Sequence, residues 1–71
     1  MELSSVATLK CTDVGTGDEA LVIVRAGPEA IGIALSLLGD GDVEVMLSLE
    51  DARRARAALD LAIERSNAAR T

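Results

Sequence analysis

The stretch Pro28-Glu29-Ala30-Ile31-Gly32-Ile33-Ala34-Leu35-Ser36-Leu37-Leu38-Gly39 supports two readings, and the choice between them decides the fold. As a helix, it would carry Pro28 at a first helical position and Gly39 just past the end. Ala30, Ile31, Ala34, Leu35 and Leu38 would then form its apolar stripe. As a strand, Ile31, Ile33, Leu35 and Leu37 alternate with Gly32, Ala34 and Ser36, large side chains on one face and small on the other. A mid-helix glycine costs about 1 kcal/mol relative to alanine, so Gly32 weighs against the helix. The alternation favours a strand, and helical structure over residues 29–38 stands as the alternative.

Toward the C-terminus, Gly39-Asp40-Gly41-Asp42 supplies the positive-φ positions that a tight hairpin needs. Val43, Val45 and Leu47 then alternate with Glu44 and Met46, the period of another strand. Ser48-Leu49-Glu50-Asp51 reads as a serine N-cap followed by acids in a first helical turn. Ala52, Ala55, Leu59, Ala62, Ile63 and Ser66 recur on one helical face, which predicts a helix from about Leu49 to Asn67 lying on the sheet. Glu50 precedes Arg54 by four residues, the favourable order for a surface pair.

Toward the N-terminus, Ala20 to Ala26 reads as a strand joined through Gly27-Pro28-Glu29, and residues 5–12 as a further strand. Residues 1–19 are expected to form an edge strand plus loop, with partial disorder as the alternative. The expected architecture is a single α+β domain over residues 1–71. It has a small antiparallel sheet of three to four strands in the order β-β-β-β-α, with one C-terminal helix packed on one face.

A chain of 71 residues buries only about 60% of its unfolded surface, and domains this small usually need a disulfide, a metal or a partner subunit. Cys11 is the single cysteine and there is no histidine, so neither an internal disulfide nor a histidine-bearing metal site is available. A second copy of the chain is the remaining aid. The strand Ala20 to Ala26 points the same way, because Leu21 and Ile23 occupy one face while Val22 and Val24 occupy the other. Met46 and Leu38 are expected to join Val22 and Val24. Leu61 points nearly opposite the main helical stripe, near Ala57 and Ala68. Val22, Val24, Leu38, Met46 and Leu61 are therefore the expected interface of a homodimer with isologous pairing.

The net charge of −5 and the absence of Phe, Tyr and Trp argue against nucleic acid, which calls for cationic surfaces and stacking platforms. Residues 1–48 hold eight acids against Lys10 and Arg25, whereas residues 49–71 hold four acids against five arginines. Apolar runs are too short or too interrupted to span a bilayer, and no basic segment followed by an apolar core marks a signal peptide. A lone thiol fits a reducing compartment. A cytoplasmic, soluble protein without membrane contact is expected.

No residue is assigned a catalytic, cofactor-binding or metal-binding role. Asp13-Val14-Gly15-Thr16-Gly17-Asp18 lacks the third glycine and following helix of a dinucleotide fingerprint, so it reads as a loop. Asp40, Asp42 and Glu44 lack the ligand spacing of a calcium loop. Cys11 has no histidine to activate it, and neighbouring Lys10 would point to the other face of a strand, which leaves a buried or half-buried structural thiol. Arg53, Arg54 and Arg56 form the one basic cluster, flanked by acids, and are a candidate contact for a partner.

The expected function is a small non-catalytic interaction module, a homodimer that binds another protein. One alternative is an acidic inhibitor or antirepressor that occupies a basic or DNA-binding surface of its partner. The other is an enzyme subunit or ligand carrier whose pocket forms between subunits.

Overall fold

A computed structural model describes residues 2–39 and 41–70. Four strands, β1 (Ser4–Thr12), β2 (Glu19–Gly27), β3 (Ala30–Leu37) and β4 (Gly41–Ser48), precede one helix, α1 (Leu49–Ala69). The strands form a single antiparallel meander in the order β1-β2-β3-β4, with β1 and β4 at the edges. The stretch that admitted two readings is strand β3. Its Ile and Leu residues pair with apolar residues on both sides, a gain that a helix with Gly32 in its middle could not offer.

Each connection has a local cause. Pro28 presets φ at the first corner of the two-residue turn between β2 and β3, and Glu29 takes a positive φ of 55° at the second. Between β3 and β4, Gly39 and Gly41 adopt φ of 87° and 78°, the left-handed region that glycine enters without steric cost. Asp40, between them, lies outside the described residues. Asp13 organises the β1–β2 loop: its Oδ1 accepts from the Gly15 N–H at 2.8 Å, and its carbonyl accepts from the Gly17 N–H at 2.7 Å.

Ser48 caps α1, its hydroxyl accepting from the Asp51 N–H at 3.1 Å. The helix runs two residues beyond the expected stop at Asn67. Arg54 pairs with Asp51 at 3.6 Å, one turn back, rather than with Glu50. Among the described residues no helix is long and apolar enough to cross a membrane.

The helix does not lie on the sheet as its stripe suggested. No residue of α1 is buried, and Ala52, in the first turn, is its one half-buried residue. The reason is covalent. Strand β4 ends at Ser48 and the helix begins at Leu49, whereas reversing direction between a strand and a helix usually takes about 2–6 residues. The helix leaves from the end of the sheet and touches only β3 and β4. The radius of gyration is 13.9 Å, against about 11 Å for a compact chain of this length.

Candidate interaction surface

Antiparallel pairing puts directly opposed residues on the same face, so the register defines two surfaces. One carries Ala7, Leu9 and Cys11 from β1, and Ala20, Val22, Val24 and Ala26 from β2. It continues with Ile31, Ile33, Leu35 and Leu37 from β3, and Val43, Val45 and Leu47 from β4. The rows Leu9–Val22–Leu35–Val43 and Ala7–Val24–Ile33–Val45 cross all four strands. This face is continuously apolar, and among the described residues it is left largely open, with Leu9, Leu35 and Val43 all exposed. Val22 and Val24 are half-buried by their strand neighbours alone, and Val45, near the β4 edge, is 50% exposed.

The second surface is mixed. Thr8, Lys10, Arg25, Ser36, Asp42 and Glu44 share it with Leu21, Ile23 and Met46. Arg25 reaches diagonally to Glu44, with Nη1 at 3.3 Å from Oε1. A Cβ at Gly32 would lie 2.9 Å from Glu44 Oε2, so a side chain there would make the Glu44 carboxylate shift.

Met46 is a correction. It pairs with Gly32 and so lies on the mixed face, opposite Val22 and Val24. Val43, Val45 and Leu47 fill the apolar face beside Leu35, Ile33 and Ile31, and the period of two leaves Met46 nowhere else. Leu38 sits exposed after the end of β3, in the turn. Cys11 is also a correction. The residue is exposed, at the β1 edge, with its Sγ 3.5 Å from the Ala20 carbonyl, because among the described residues no second layer stands over the apolar face.

On α1, Leu59 and Ile63 are 64% and 58% exposed. With Ala52, Ala55, Ala62 and Ser66 they form a stripe of mostly small side chains punctuated by two large ones. Leu61 faces nearly the opposite way, close to Arg54 and Arg65. Arg53, Arg54 and Arg56 are all exposed in the first half of the helix, and they do not form a single cluster. At 100° per residue, Arg54 is turned away from the side that Arg53 and Arg56 share.

Sequence reasoning missed Leu9, Leu35, Val43 and Val45 as members of one surface, and it missed the Arg25–Glu44 pair. Both follow once hairpin registers are fixed, and turn lengths carry that signal: two residues separate the paired Gly27 and Ala30. An open depression of about 500 Å³ lies where β2 and β3 meet the β3–β4 turn, lined by Leu21, Ser36, Leu37 and Leu38 with Glu19 at its rim. Among the described residues no three potential metal ligands converge. What this arrangement offers chemically is apolar contact area. The chain matches no protein-family model, no curated protein and no solved structure.

Proposed function

We propose that this chain is a non-catalytic interaction module that works as a homodimer and binds another protein. The observation that carries the reading is the missing core. Among the described residues only Ala20, Gly32 and Ala34 are buried, and none has a large side chain to contribute. The chain exposes 5600 Å², whereas a folded monomer of 7.3 kDa exposes about 4,200 Å². The excess is about 1,400 Å² per copy. Two copies burying that much would form an interface of about 2,800 Å², within the range of obligate homodimers. The surface left for a different protein is the outer side of α1, where Leu61 lies close to Arg54 and Arg65, and Arg53 and Arg56 add exposed basic groups on another side of the helix.

Sedimentation velocity at micromolar concentration tests the pairing, with a dimer as the expected species. A folded monomer throughout that range would overturn the proposal.

A further inference from the structure

We infer that the apolar sheet face is covered by helix α1 of a second copy, exchanged reciprocally so that each helix lies on its partner's sheet; this rests on the homodimer reading above. The chain presents two uncovered apolar surfaces, the Val/Ile/Leu face of the sheet and the Ala52–Ser66 stripe of the helix. They cannot meet within one chain, because Ser48 ends the strand and Leu49 begins the helix. A sheet-to-sheet dimer would cover the first surface and leave Leu59 and Ile63 in water. Reciprocal exchange covers both.

Size and shape agree. A helix of 21 residues is about 31 Å long, enough to cross strands of 8 and 9 residues that extend about 26–30 Å. The alanines of the stripe let the helix approach closely, while Leu59 and Ile63 supply large groups to set among Val24, Ile33 and Val45. Charge agrees as well. The sheet portion, residues 1–48, carries eight acids against two basic residues, and the helical portion carries five arginines against four acids. A near-neutral helix on a foreign sheet avoids the like-charge repulsion that two acidic sheet portions would meet.

Two measurements on the full chain test the exchange. L59D/I63D should weaken dimerisation by at least about 100-fold, the effect of two buried aliphatic side chains lost. Because that variant could also disturb the helix, cross-linking supplies the second measurement. In a Cys11→Ser background, differently tagged Val45→Cys and Ile63→Cys chains are refolded together and treated with a short bifunctional thiol reagent. Val45→Cys to Ile63→Cys cross-links between the two tagged chains support the exchange. Val45→Cys chains cross-linking only to one another, with L59D/I63D still dimeric, would overturn it and leave the homodimer standing. A wild-type chain that sediments as a monomer would remove both.

Discussion

Glu29 holds a positive φ of 55° in the β2–β3 turn, a conformation that costs a non-glycine residue about 1 kcal/mol or more. Glu29→Gly should therefore raise stability in urea by about 0.5 kcal/mol, after part of the relief is offset by the greater freedom of glycine in the unfolded chain. A loss of stability would mean that the Glu29 side chain contributes a contact of its own. Asp13 is the opposite case. Its carboxylate and carbonyl together hold the β1–β2 loop, so Asp13→Ala should cost about 1 kcal/mol in the same measurement. Both positions were legible as turn residues from Pro28 and the Gly15–Gly17 pair. The strain at Glu29 was not, because nothing in its side chain favours that region; Pro28 and the two-residue closure impose it.

At the level of elements, the alternation of large and small residues identified β3, and the switch from period two to period 3.6 at Ser48 located the start of α1. Ser48→Ala removes the hydroxyl that accepts from the Asp51 N–H and should cost about 1 kcal/mol, with loss of ellipticity at 222 nm preceding loss of the sheet on heating. What periodicity could not reveal was where the helix goes. The Ala52–Ser66 stripe says that this face seeks apolar contact, and it carries no information on which chain provides it. The same limit misplaced Met46, whose face depends on the register between β3 and β4 and not on its own hydrophobicity. Leu61 separates the two sides of α1: Leu61→Glu should leave sedimentation at its wild-type value, in contrast to L59D/I63D.

For the whole molecule, the proposed pairing would make folding and association one equilibrium. The melting temperature should then rise with protein concentration, as it does when subunits lack a stable monomeric state; a concentration-independent value would contradict this. The acidic front and near-neutral helix were readable by counting charges. That no second layer lies over the sheet among the described residues was not readable, because it arises from a single junction. That junction also acts as a ruler. With no residue between Ser48 and Leu49, the proposed pairing would have subunit number set by the length of a turn. Inserting about four flexible residues ahead of Ser48, within the usual span of such connections, should let the helix return to its own strands. The product would be a self-sufficient single subunit with the same surface chemistry throughout.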